Sequence, residues 1–172
     1  MGATSFETEV YTDGSAEDAY QQAVQEAFYE FGHEPYSGTI ATTSGVYAVP
    51  GHKPMTLAEA EKIARDRLWV TTHKWGDCEA LPLVEEWDEE WEVTGRKPVT
   101  ISATPEQLRD PAWVRARIVD ALQVRESEIY KWVIVATEAT NVHLTAVLGR
   151  KTTDAYVGTD QVGWYLYGVA AT

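Results

Sequence analysis

The residue types that could perform covalent chemistry gather in two short segments. Cys78 is the only cysteine, and His73 and Asp77 lie just before it in the chain. A histidine beside a cysteine can generate a thiolate nucleophile. In the other segment, His33 and Glu34 could act as a base and an acid. These residues define one alternative function, a small hydrolase or transferase.

The remaining pattern favours a protein that is not an enzyme. No residue is identifiable that would orient the imidazole of His73, and a lone cysteine is more often a small buried hydrophobe. The four histidines lack the paired spacing of zinc sites. The sequence has no phosphate loop, nucleophile elbow or dinucleotide fingerprint. We therefore predict no catalytic residue, no metal and no cofactor.

The acidic window, Glu85–Glu92, is the most unusual stretch of the chain. In a strand, and equally in a helical turn, Trp87 and Trp91 fall on a common side. Trp anchors with a charged rim are typical of protein interfaces. The alternatives are a loop whose indoles fold back into the core, and a cation site, although the spacing fits no calcium loop. The candidate contact residues of the window are Trp87, Trp91, Glu86, Asp88 and Glu90.

A second candidate surface follows the first predicted helix. Tyr36 could stack on a ligand, and His33 could bind beside it. The alternative is a rigid turn in which His33 caps the end of the helix and Tyr36 packs underneath. His33 and Tyr36 are the candidate binding residues of this segment.

One segment carries a resemblance. The block Tyr29–Ala41, together with Lys74-Trp75-Gly76 and an aromatic C-terminal strand, resembles small uncharacterised proteins of phages and other mobile elements. The resemblance implies a viral or plasmid origin and brings no activity with it.

The formal charge of −13 is the strongest signal in the composition. A field of this sign repels phosphate backbones and argues against direct binding of nucleic acid. Three explanations stay open: a solvated acidic surface, adaptation to a high-salt cytoplasm, and mimicry of nucleic acid by an inhibitor of a DNA-binding enzyme. Lys is less frequent than Arg, and Ala, Thr and Val are abundant, as salt adaptation would predict.

Length and hydropathy predict a soluble, cytoplasmic protein, or a virion-associated one if the gene is viral. The chain of 172 residues fits a single domain spanning residues 1–172. The longest apolar run, Trp132–Ala136, is far too short to cross a bilayer. A lone cysteine agrees with a reducing compartment.

Three helices are predicted from caps and apolar periodicity. The first begins after Ser15 and ends at Gly32, the second follows Thr56, and the third lies between Thr104 and Leu122. Turn residues around Ser44-Gly45 indicate a hairpin.

The strand signals are short and numerous. Pro82 predicts that Ala80–Val84 is an edge strand, since proline would cost a ladder bond elsewhere. The aromatic last strand, Trp164–Val169, is predicted to be central. Together these elements predict an α+β domain, with about three helices on one face of a mostly antiparallel sheet.

The sequence therefore favours a non-enzymatic acidic protein that contacts a protein partner. It does not favour membrane binding, and self-association stays open. The two alternatives are the hydrolase or transferase built on His33, His73, Asp77 and Cys78, and the nucleic-acid mimic.

Overall fold

A computed structural model describes residues 2–172 as four helices and seven strands. Two further short 3-10 helices occupy Ile40–Thr42 and Glu126–Glu128. The helices are α1 (Ala16–Phe31), α2 (Leu57–Thr71), α3 (Pro105–Leu108) and α4 (Pro111–Leu122). The strands are β1 (Ala3–Tyr11), β2 (Val46–Ala48), β3 (Cys78–Trp87), β4 (Glu90–Ser102), β5 (Ile129–Glu138), β6 (Asn141–Thr153) and β7 (Tyr156–Ala171).

The strands form two sheets, each in its own compact unit. The first unit comprises the residues up to Trp87 together with Tyr156–Thr172, and the second unit is Asp88–Ala155. Their strand orders are β1-β7-β3-β2 and β4-β6-β5. All strand pairs are antiparallel except β2 with β3. The predicted α+β class with mostly antiparallel pairing is confirmed.

In the first unit, helices cover both faces of the sheet. Alternate residues of a strand face opposite sides, and the two core clusters divide accordingly. The α1 cluster includes Cys78, Ala80 and Leu166, whereas the α2 cluster includes Leu81 and Tyr165. The helices of this unit therefore lie on both faces of its sheet, whereas the sequence predicted about three helices on one face.

In the second unit, one helix packs on a three-stranded sheet. Val114 and Ile118 of α4 are buried against apolar side chains of β4 and β6. Asp110 caps this helix through its carboxylate, and Pro111 occupies the first turn.

Local capping explains why the predicted helices form. Ser15 and Thr56 each accept a hydrogen bond from the backbone three residues later, and an acidic side chain bonds back in both cases. Gly32 ends α1 with a φ of +78°, a conformation that favours glycine.

The hairpin predicted around Ser44-Gly45 is wrong. Residues Ile40–Thr42 form a 3-10 helix, and β2 pairs in parallel with β3 instead of with its upstream neighbour. The hydroxyls of Thr42 and Thr43 donate to the carbonyls of Thr39 and Ile40. Such local side-chain bonds compete with strand pairing.

Pro82 lies in an interior strand, so the predicted edge position is also wrong. The strand β3 lies between β7 and β2. However, β2 ends at Ala48, opposite Ala80, and does not reach Pro82. On the β2 side of β3, the Pro82 carbonyl accepts a bond of 3.0 Å from the N–H of Met55, a residue outside the named strands. The proline nitrogen therefore faces a gap in the ladder, where no donor is required.

One charged side chain is buried in the first unit. Glu79 on β3 is only 4% exposed. It accepts two bonds from the Arg67 guanidinium, at 2.9 and 2.7 Å, and bonds of 2.8 Å from the hydroxyls of Thr71 and Tyr167. Burial raises the pKa of Glu79, but these four bonds to the carboxylate outweigh it and hold the pKa below its usual value.

We predict that this network makes the protein sensitive to acid. Because the pKa of Glu79 is depressed, its contribution to stability is present above the unfolded pKa, near 4.5, and is lost as pH falls through the folded pKa. Replacing Glu79 by Gln should destabilise the fold by about 2–4 kcal/mol at neutral pH, because Arg67 loses its partner. Urea unfolding at pH 7 and pH 4 measures both effects.

Tyr167→Phe is the matched control. It removes one bond and leaves the Arg67–Glu79 pair, so we expect a cost of about 1–2 kcal/mol. Equal costs for the two variants, or a pH profile unchanged in Glu79→Gln, would contradict this account of the network.

Candidate functional site

Two loops that the sequence keeps apart meet at one end of the first unit. The backbone N–H of Ser44 donates to the Gly76 carbonyl at 3.1 Å, and the N–H of Cys78 donates to the Gly45 carbonyl at 2.9 Å. The Ser44 hydroxyl also donates to the Asp77 carboxylate at 2.7 Å. These bonds join the loop that precedes β2 to the turn that precedes β3.

An exposed aromatic pair lies on this junction. The rings of Tyr36 and Trp75 meet edge to face, with centroids 5.6 Å apart. Their side chains remain 49% and 46% exposed. Trp75 has a left-handed φ of +67°, in a turn closed by a bond from the Gly76 N–H to the His73 carbonyl. A bulky residue in this conformation is strained, and strained residues concentrate at functional sites.

More exposed apolar side chains lie at the same end. The loops that follow α1 and α2 lead to the parallel strands β2 and β3, which begin at this end, while the two helices themselves lie on opposite faces of the sheet. We call this end of the unit the aromatic end. Its exposed members are Tyr29, Phe31, Tyr36, Trp69, Val70 and Trp75, with Tyr29 95% exposed. A concentration of exposed apolar side chains is typical of an interaction surface.

The net charge is concentrated in the first unit. This unit holds 16 of the 27 acidic residues but only 5 of the 14 basic ones, a formal charge of −11. The second unit holds 11 acidic and 9 basic residues, a formal charge of −2. Residues 1–52 contain no Lys or Arg at all. The aromatic end therefore belongs to a strongly negative unit.

The structure separates the two residues predicted to bind after α1. Tyr36 is exposed and pairs with Trp75, instead of packing underneath a turn. His33 stacks on Phe28 of α1, with ring centroids 4.3 Å apart. The imidazole thus covers the last turn of the helix through ring contact.

Trp87 is an exposed residue of the first unit. It stacks on Tyr156, with centroids 4.3 Å apart, and the two side chains are 46% and 44% exposed. Its neighbour Glu86 has a structural task, since its carboxylate accepts the backbone N–H of Leu57 at 3.2 Å, at the first residue of α2. Trp87 remains available for contact, whereas Glu86 is engaged.

Trp91 belongs to the second unit and lies in a cluster whose groups bind one another. Its indole stacks on Tyr130 at 5.1 Å and donates to the Glu89 carboxylate at 2.9 Å. Lys151 pairs with the same carboxylate at 3.0 Å and lies 5.6 Å from the indole centroid. The bonds from Trp91 and Lys151 lower the pKa of Glu89.

The acidic window therefore does not form one continuous strand. It ends β3 at Trp87, turns at Asp88 and Glu89, and starts β4 at Glu90. Each indole has its own aromatic partner in its own unit. Asp88 and Glu90 are exposed, and the Glu90 carbonyl accepts a bond from the Thr152 hydroxyl.

The thiol of Cys78 is unsuited to nucleophilic attack. Cys78 is completely buried in the α1 core cluster. Burial, followed by the charge of Asp77, raises its pKa to about 12, so the reactive thiolate is not formed at neutral pH. This observation argues against the hydrolase or transferase alternative, and Asp77 is in any case bound by Ser44.

Within residues 2–172, no group of three or more His, Cys, Asp or Glu side chains is arranged to hold a metal ion. Across the same residues, no helix combines the length and apolar character needed to span a membrane. Comparisons with family models, with curated proteins and with solved structures gave no match.

Sequence reasoning missed Tyr29, Trp69 and Trp75. A signal was present for the first two, because both fall outside the apolar stripes of their helices and are still large and apolar. Trp75 gave no such signal. Trp75 is a candidate because its φ is positive and because its ring contacts Tyr36, 39 positions earlier in the sequence.

We predict that Trp75→Gly is more stable than Trp75→Ala by about 1 kcal/mol, because glycine adopts a left-handed φ without strain. Both variants lose the contact with Tyr36, so the difference isolates the backbone term. The midpoints of urea unfolding, compared at equal m values, measure this difference in stability. Alanine at least as stable as glycine would show that this turn stores no strain.

Proposed function

We propose that this chain is a non-enzymatic binding protein whose first unit contacts a protein partner through the aromatic end. The observation that carries the proposal is the exposed Tyr36–Trp75 pair, in which Trp75 has a left-handed φ, on a unit of formal charge −11. Aromatic side chains supply most of the energy in many interfaces. Complementary charge steers the encounter and selects the partner.

The charge indicates which partner surface fits. Glu26 and Glu30 lie in the last two turns of α1, and Glu34 lies two residues before Tyr36. A partner surface with apolar pockets and a Lys- and Arg-rich rim would match both features. The acidic window, with Trp87, Trp91, Glu86, Asp88 and Glu90, is the alternative contact surface, and the exposed Trp87–Tyr156 pair represents it in the first unit.

Alanine at Tyr36 combined with glycine at Trp75 tests the proposal. Glycine is chosen at position 75 because it suits the backbone. In capture from host extract, we expect each specifically retained protein to bind the double variant at least about tenfold more weakly, a loss of about 1.4 kcal/mol or more. Circular dichroism and the thermal midpoint establish that the variant is folded.

Trp87→Ala with Tyr156→Ala is the matched control, since it removes one Trp and one Tyr from the same unit. We expect it to retain the partner. If folded Tyr36→Ala/Trp75→Gly captures the same proteins as the wild type, the aromatic end is not the contact surface. Loss only in the control would move the site to the acidic window.

A second candidate function is mimicry of nucleic acid, which the concentration of negative charge in the first unit favours. A mimic occupies the site of a DNA-binding enzyme, so duplex DNA should displace the captured partner. Retention of the partner in excess duplex DNA would reject mimicry and leave the aromatic contact as the basis of binding.

The origin and location of the protein are part of the proposal. We propose a viral or mobile-element protein of a salt-adapted host, acting in the cytoplasm or in the virion. The supporting features are the resemblance around Tyr29–Ala41 and the acidic composition.

A further inference from the structure

We propose that the free edge of β1 receives an extended, basic segment of a protein partner as an added strand, in the groove between β1 and α1. The inference rests on the proposed function, since it requires a protein partner. Beyond the proposed function, it specifies that the bound segment is extended and basic, and that the backbone of β1 binds this segment.

The first observation is that β1 is an edge strand with outward-facing backbone groups. It pairs with β7 on one side only. Gly2 and Thr172 exchange two backbone bonds, N–H to carbonyl in both directions. In an antiparallel pair such bonded positions alternate with unbonded ones. With the register running from Ala3↔Ala171, the N–H and C=O groups of Ser5, Glu7 and Glu9 therefore point away from β7.

The second observation is a groove beside this edge. It has a volume of about 290 Å³ and is lined by Phe6, Glu7, Thr8, Ala23, Glu26, Ala27, Glu30, Phe31, Gly38, Thr39 and Ile40. The α1 side of its floor consists of the small residues Ala23 and Ala27, and Phe6 and Phe31 add aromatic walls. A strand edge beside an apolar helix face is the geometry that peptides use in strand addition.

The third observation is the charge, which selects the occupant. Glu26 and Glu30 line the groove from α1, while Glu7 and Glu9 lie along β1. Within residues 2–172, none of these four carboxylates has a Lys, Arg or His partner within 4.0 Å. A second copy of β1 would bring its own carboxylates against them. A segment that carries Lys or Arg is attracted instead.

These observations together define the ligand. In an added strand, alternate side chains face opposite sides. The set that faces α1 would lay its aliphatic stems along Ala23 and Ala27 and bring its charged ends to Glu26 and Glu30, so it should be Lys or Arg. The other set would face the opposite side of the sheet and should be β-branched. The expected segment therefore alternates Val or Ile with Lys or Arg, and its backbone N–H groups bond to the β1 edge at every second residue.

A pair of offset N-methylated peptides tests this directly. The probe is a short fluorescent peptide that alternates Val with Lys, and two derivatives carry N-methyl groups at alternate residues, one set shifted by a single position. Strand addition predicts that one derivative loses about tenfold or more in affinity while the other binds within about twofold of the parent. Fluorescence anisotropy with the full chain measures all three peptides.

Matched charge variants complete the test. Glu26→Gln/Glu30→Gln should weaken binding of the parent peptide about tenfold. Glu61→Gln/Asp66→Asn on α2 changes the net charge equally and should leave the affinity within about twofold. A peptide with Glu in place of Lys should not bind.

The inference is overturned if both N-methylated peptides bind like the parent or lose affinity equally, because binding would then not use the β1 edge. It is also overturned if the two charge variants behave alike. Neither result changes the comparison of partner capture between the wild type and Tyr36→Ala/Trp75→Gly. The strand-addition proposal can therefore fail while the aromatic contact stands.

Discussion

The sheet of the first unit must hold together a polypeptide whose charges repel one another. With a formal charge of −11 in this unit and no Lys or Arg before Lys53, compaction depends on apolar burial on both sides of the sheet. The helices α1 and α2 provide that burial from opposite faces. Among residues 2–172, Glu79 is the charged side chain that is buried in the core. Its carboxylate accepts hydrogen bonds from Arg67, Thr71 and Tyr167.

This constraint leaves the proposed binding surfaces at the periphery. Since both faces of the sheet are covered, its ends and its two edge strands, β1 and β2, are places where large side chains and backbone groups still meet solvent. The β1 groove is lined by the C-terminal half of α1, and Tyr29 and Phe31 of the aromatic end belong to the same part of that helix. Exposed apolar side chains and negative charge therefore occur in the same unit, which supports the proposal of a basic protein partner.

The sequence predicted what local chemistry determines and missed what distant residues determine. The caps at Ser15 and Thr56, together with apolar periodicity, correctly placed the starts of α1 and α2. The placement of Pro82 depended on where β2 ends, which no local pattern encodes. The acidic window attracted attention through its composition, but Trp87 and Trp91 proved to serve different units. The contact between Tyr36 and Trp75 exists because two loops are bonded across the start of β3.

Hydrogen exchange of individual amides at low and high salt tests the central claim most directly. At about 10 mM salt the screening length is about 30 Å, against about 3 Å at 1 M, so repulsion within the first unit is strongest at low salt. The account predicts that amides of β1 and α1 lose protection at low salt, while those of β6 and α4 in the second unit change little. Equal responses in the two units, or no response, would contradict it.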